Sequence, residues 1–327
     1  MDTPLATDGV NAGGALDAMP SPLAAWPVSA LHTLRELPLD PEFPLFRHYP
    51  AMKLGVRESI REYGRLLMPL ARDVIARRPE STDWMVTGPP FFVVPSGANL
   101  MAWEVYRLLA RELPSYLSLR AVDMHLLLPP FSPVREDYSK SGVKARIENR
   151  RRLQGGDQGL KLDPAVFRGR AVLFINDINV TGTQQSFMQQ AFEAVGPTSV
   201  DWLYVIQVDL SLGRSKPELE YALNHLSLGT FEAFEELVRR ADIDFTGACI
   251  RRLFAYPTDR LEPLFRALDD TRRRRLYALA TREGIYTRAD DLAKLALLRK
   301  GFASFARAST HGARQQSPDA SAPLPPR

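Results

Sequence analysis

The chain has 327 residues, 45% of them hydrophobic and 24% charged, a globular composition with enough material to bury a large core. No apolar run approaches the ~20 residues needed to span a bilayer, and the single cysteine, Cys249, rules out an internal disulfide and a cysteine-ligated metal site. The five histidines are scattered, so structural zinc is not expected; the net charge is only +4, which does not by itself decide on a nucleic-acid partner, and none is expected.

Residues 1–25 are rich in Ala, Gly, Pro and Asp without periodicity, and residues 309–327 end in a Ser- and Pro-rich run; both are expected to be disordered tails. The single cysteine makes a reducing, cytoplasmic address the expectation, and the first residues show no basic-then-apolar leader pattern. Ordered structure is expected to begin near Phe43 to Tyr49. Ile60, Tyr63, Leu66, Leu67, Leu70, Val74 and Ile75 recur at helical spacing and predict a helix kinked near Pro69. Trp84-Met85-Val86-Thr87-Gly88 predicts a short strand. After a Pro-Pro break, Phe91-Phe92-Val93-Val94 predicts a buried strand, followed by a turn at Pro95-Ser96-Gly97-Ala98-Asn99 and a buried helix over residues 100–109.

A strand is expected over residues 121–128, and residues 129–160 are polar, basic and loop-like, with room for one helix around 143–153. Ala171 to Ile175 is an unbroken apolar strand, and residues 183–195 form a helix stopped by Gly196-Pro197. A further strand follows over 200–208. Strands alternating with helices predict an α/β fold, a mostly parallel sheet flanked by helices, over residues 26–228. Residues 229–308 change character. Phe234, Leu237, Val238 and Ala241 mark one helix, Leu261, Leu264, Phe265 and Leu268 a second, and Leu292, Leu295, Leu298 and Phe302 a third. This C-terminal helical region carries no legible function. Two arginine clusters, 150–152 and 272–275, are either solvated helix faces or anion contacts.

The chemistry concentrates at A-V-L-F-I-N-D-I-N-V-T-G-T, residues 171–183. A buried strand ends in Asn176 and Asp177, and Thr181-Gly182-Thr183 leads into a helix. In open parallel sheets ligands bind at the carboxyl ends of strands. A helix N-terminus presents unpaired N–H groups and a positive dipole end, which suits a phosphate. Gly182 lets the backbone approach a ligand closely, Thr181 and Thr183 add hydroxyls, and a carboxylate at the tip accepts hydrogen bonds from vicinal sugar hydroxyls.

Phe174-Ile175-Asn176-Asp177-Ile178-Asn179-Val180-Thr181-Gly182-Thr183 resembles the ribose-5-phosphate signature of the type I phosphoribosyltransferases, with one departure, Asn176 at the first acidic place. The resemblance implies that Asp177, with Asn176, holds the ribose hydroxyls and that Asn179, Val180, Thr181, Gly182 and Thr183 hold the 5′-phosphate. It further implies a diphosphate loop at Ser96, Gly97, Ala98 and Asn99, and a mobile catalytic loop carrying Tyr138 and Lys140 as catalytic residues and Lys144 and Arg146 as substrate contacts, beside Arg135. Together with Phe46 to Gly55, these stretches look most like the phosphoribosyltransferase-like proteins encoded with bacterial tellurium-resistance and stress-response genes. The resemblance covers roughly residues 45–210.

The implied reaction transfers ribose 5-phosphate from 5-phosphoribosyl 1-diphosphate to a nitrogenous acceptor and releases diphosphate. Mg²⁺ is implied as the cofactor, held mainly through substrate oxygens rather than by protein ligands. Asn176 removes one negative charge near the developing cation; a regulator that binds the same ligand without turnover is the alternative. Asp177-Ile178-Asn179-Val180-Thr181 also approximates the D-x-D-x-T motif of haloacid-dehalogenase-like phosphatases, in which Asp177 would be the nucleophile. The acceptor is not legible, and a homodimer is left open.

Overall fold

A computed structural model of the chain describes residues 26–114, 117–126, 160, 162–240 and 242–300. The elements in chain order are β1 (Val28–Leu34), α1 (Pro44–Arg47), α2 (Tyr49–Leu54), α3 (Arg57–Ala76), β2 (Trp84–Thr87), α4 (Gly97–Glu112), β3 (Leu119–Ala121), α5 (Pro164–Phe167), β4 (Ala171–Asn179), α6 (Thr183–Val195) and β5 (Ser199–Val208). Seven helices follow: α7 (Leu210–Ser215), α8 (Leu219–His225), α9 (Phe231–Arg240), α10 (Gly247–Ala255), α11 (Thr258–Ala267), α12 (Asp270–Glu283) and α13 (Ala289–Arg299).

The strands form one five-stranded sheet in the order β1-β5-β4-β2-β3, and every pairing is parallel. The α/β fold class read from the sequence is therefore the fold. β4 and β5 are apolar on both faces because helices cover both. Ala171, Leu173 and Ile175 pack with α3 and α4 residues such as Leu67, Ala71 and Val105. Val172 and Phe174 face the opposite layer, where Phe187, Met188 and Phe192 of α6 meet Trp202. Each such buried side chain contributes roughly 1.5–3 kcal/mol. No helix among the described residues is long and apolar enough to cross a membrane.

Several elements differ from their sequence-based expectation. Order begins before Phe43, because β1 adds an edge strand to β5. Residues 91–94 are not a strand. Phe91 makes one isolated bridge to His125; of the four only Val94 is fully buried, in the core of the helical region, with Val93 packed partly against it. Of the strand expected at 121–128 only Ala121 belongs to a strand, β3; His125 and Leu126 make isolated bridges, and residues 127–128 lie outside the described residues. α4 begins three residues earlier than Leu100, at Gly97. The expected helix is α3, with Pro69 inside it. Residues 229–300 hold five helices rather than three, α9 to α13. The charged sequence of α12 conceals its helix. There Arg272 Nη1 donates to the Arg239 carbonyl at 2.9 Å and Arg275 pairs with Asp244 at 2.5 Å, so these arginines clamp neighbouring elements.

The helical region is stitched onto the sheet domain. Asp244 N–H donates to Gly55 O at 2.8 Å, Arg57 N–H donates to Asp242 O at 3.0 Å, and Val56 bridges Ile243. Leu54, Val56 and Val94 belong to the same apolar cluster as Phe234, Leu253 and Phe265.

Candidate functional site

The strand order creates a crevice. β2 connects outward to β3 through α4, while β4 connects the other way, to β5, through α6. α4 and α6 lie on opposite faces of the sheet. Between β2 and β4 the chain direction therefore diverges, which is where open α/β sheets bind ligands. β2 stops at Thr87, opposite Phe174, whereas β4 runs on to Asn179. Asn176 to Asn179 thus stand proud of β2 but remain strand, paired with β5 through Asn176↔Tyr204 and Asn179↔Gln207.

The turn after β4 is held by its own polar groups. Asn179 Oδ1 accepts the Gly182 N–H at 3.0 Å, and its Nδ2 donates to Gln185 at 2.7 Å and Gln207 at 3.1 Å. The Thr181 and Thr183 hydroxyls lie 2.8 Å apart. Gly182 has φ +73°, a left-handed conformation that glycine adopts without a Cβ penalty, and it starts α6 with no side-chain cap. The first N–H groups of α6 therefore have no intrahelical partner. Val180 is buried, and its carbonyl lies close against Gly213 of α7, where an added Cβ would lie 1.8 Å from the oxygen.

Asp177 and Asn176 part company, because successive strand residues face opposite sides. Asn176 turns toward α6, with Nδ2 3.5 Å from Gln184 Oε1, while its Oδ1 accepts the Asp177 N–H at 2.9 Å. Asp177 turns toward α2. Its Oδ2 accepts the Tyr49 hydroxyl at 2.8 Å and is ion-paired with Lys53. Lys53 also pairs with Glu220 of α8 at 3.1 Å. Asp177 is only 4% exposed. Burial alone would lower the Lys53 ammonium's pKa, but Asp177 and Glu220 outweigh it and hold it above the usual lysine value. Burial, then the Asp177 charge, raises the Tyr49 phenol well above its ordinary value.

The family described as PRTase ComF-like matches residues 107–297. The chain belongs to the ComF-like phosphoribosyltransferase family. No curated protein matches it. The family match spans β4, the turn and α6, and it continues past residue 210 through the helical region.

In this phosphoribosyltransferase-family chain the second turn beside the crevice is Pro95 to Asn99. Ser96 caps α4: its Oγ accepts the Asn99 N–H at 3.3 Å, and Asn99 Oδ1 accepts the Ser96 N–H at 3.0 Å. Asn99 Nδ2 donates to Pro89 O at 2.7 Å. Gly97 admits α2, since an added Cβ would lie 2.5 Å from Met52 O. Gly97, Ala98 and Asn99 are buried, and the polar side chains of the segment are engaged in capping. The helical region grips the same loop. Glu283 accepts the Val94 N–H at 2.9 Å, and Gly247 N–H donates to Pro95 O at 3.1 Å. Burial pushes the Glu283 carboxyl upward, against the Val94 and Val93 N–H groups.

Tyr49, Lys53, Glu220 and Glu283 were not marked by the sequence; the first three meet Asp177 or its partner only through the fold. Tyr138, Lys140, Lys144 and Arg146 lie outside the described residues. Cys249 is buried and its thiol is pushed up to about 12 by burial, which suits packing rather than nucleophilic chemistry.

Proposed function

We propose that the crevice between β2 and β4 binds 5-phosphoribosyl 1-diphosphate, and that the protein transfers its ribose 5-phosphate to a nitrogenous acceptor with release of diphosphate. The observation that carries this is the self-braced turn from Asn179 to Thr183, at the switch point of a phosphoribosyltransferase-family sheet, opening directly onto α6. The 5′-phosphate would lie on the Thr181 and Thr183 hydroxyls and the first amides of α6. The diphosphate would leave toward the loop after β2. Mg²⁺ fits only as a substrate-borne ion. The motif brings one carboxylate to the tip, and Lys53 and Tyr49 hold it. When bound, the ion would neutralise charge on the departing diphosphate.

A regulator that binds the ligand without turnover is favoured by one observation. Asp177 is sealed against Lys53, and Asn176 faces the other way without charge. The phosphatase alternative needs an open nucleophile, and a 4% exposed, ion-paired Asp177 does not supply one. Diphosphate release decides between transfer and regulation. With 5-phosphoribosyl 1-diphosphate, Mg²⁺ and a panel of purine, pyrimidine and other nitrogen bases, transfer predicts acceptor-dependent diphosphate. Binding with no release to any acceptor supports the regulator. The resemblance of Phe46 to Gly55, together with the loop and motif stretches, to the tellurium-resistance-associated proteins supports a role in a stress response.

A further inference from the structure

A cavity of about 630 Å³ lies on the α3–α4 seam, lined by side chains that the strand-tip crevice does not use. α3 contributes Arg57, Arg61 and Arg65, four residues apart and therefore on one stripe, and α4 contributes Trp103 and Arg107. Two of these guanidinium groups are held by carboxylates. Arg57 binds Asp244 at 2.7 and 3.0 Å, and Arg107 binds Glu104 at 2.8 Å. Arg61 and Arg65 are exposed, and among the described residues neither has a carboxylate partner. Like charges at this spacing repel each other, and an anion seated between them would reverse that repulsion.

Trp103 supplies a different chemistry. It is half-buried, its indole N–H donates to Asp123 at 2.7 Å, and Phe91 makes a T-shaped contact with it, ring centroids 6.5 Å apart. The N–H edge of the ring is thus held in place. An anchored aromatic ring in the cavity wall, beside two guanidinium groups with no carboxylate partner among the described residues, matches a ligand with a flat base at one end and phosphates at the other. The volume falls within the range of small-molecule clefts.

We propose that the α3–α4 seam is a second ligand site, for a nucleoside polyphosphate, with Arg61 and Arg65 on the phosphates and Trp103 against the base. It is separate from the crevice and stands whether or not the crevice binds a ribose phosphate. The test is calorimetric titration of the full chain with ATP and with inorganic tripolyphosphate, in the wild type, the double variant Arg61→Gln/Arg65→Gln, and Trp103→Ala. Both arginines are exposed, so the double variant retains its packing. ATP binds the wild type, and the double variant weakens it by about tenfold or more. Trp103→Ala weakens ATP and leaves tripolyphosphate unchanged, and excess 5-phosphoribosyl 1-diphosphate does not displace ATP. The proposal is overturned by absence of ATP binding, by unchanged affinity in the double variant, by tripolyphosphate binding as tightly as ATP, or by competition from 5-phosphoribosyl 1-diphosphate.

Discussion

The Lys53 ammonium is ion-paired with the Asp177 carboxylate at the tip of β4, under the Tyr49 hydroxyl. One residue comes from a short helix near the start of the fold and the other from the central strand. Asp177 is also the only ionised side chain that the ribose-phosphate motif retains at that tip. Its partner therefore bears on both stability and function.

Removing the cation while leaving the anion is expected to be costly. Lys53→Met strands a buried carboxylate and should destabilise the protein by about 3–5 kcal/mol in urea denaturation. Adding Asp177→Asn should recover a large part of that loss, because the stranded charge is gone. The cycle is non-additive if the pair is coupled as the geometry indicates; additive losses would contradict it. The sign of the pH effect follows from the raised lysine pKa. The lysine's contribution is present below its ordinary value of about 10.4 and is lost as pH rises through the higher folded value.

Glu283 presents the reverse situation. It is the last residue of α12, at the negative end of the helix dipole, and its carboxyl pKa is raised. A raised carboxyl contributes its full stability below the unfolded value of about 4.3 and loses it as pH rises through the folded one. Glu283→Gln keeps an acceptor for the Val94 N–H without the charge. Its melting temperature should exceed the wild type's at pH 7, with the gap closing as pH falls toward 4. Glu283→Ala leaves that buried N–H unpaired and should cost about 1–3 kcal/mol.

Gly213 governs the turn from a distance. A methyl group there would collide with the Val180 carbonyl at 1.8 Å. Gly213→Ala should cost about 1–3 kcal/mol through overpacking and should weaken ribose 5-phosphate binding by displacing the turn. Unchanged affinity in the folded variant would separate α7 from the site.

How much of this was legible depends on how far apart the partners lie. β4, α6 and β5 are readable because an apolar run, a Thr-Gly-Thr start and a Gly-Pro stop are local signals. β1 is not, since an edge strand with mostly half-exposed residues shows no strong alternation. Residues 91–94 mislead for a different reason. Val93 and Val94 pack against the helical core, and the Val94 N–H bonds to a side chain 189 residues away. The ribose-phosphate turn is a contiguous motif. The Tyr49–Asp177 contact closes 128 residues of chain, so neither Tyr49 nor Lys53 carries a local mark. The same holds for Glu220, whose role exists only once α2, α8 and β4 converge.

The proposed seat of the phosphate of a phosphorylated ribose is the 179–183 turn. Calorimetric binding of 5-phosphoribosyl 1-diphosphate with Mg²⁺, compared between the wild type and Thr181→Val/Thr183→Val, addresses it most directly. The account predicts saturable binding to the wild type and a loss of at least about tenfold in the variant, as two hydroxyl bonds to a charged group are removed. No binding to the wild type, or equal binding to both, would contradict it.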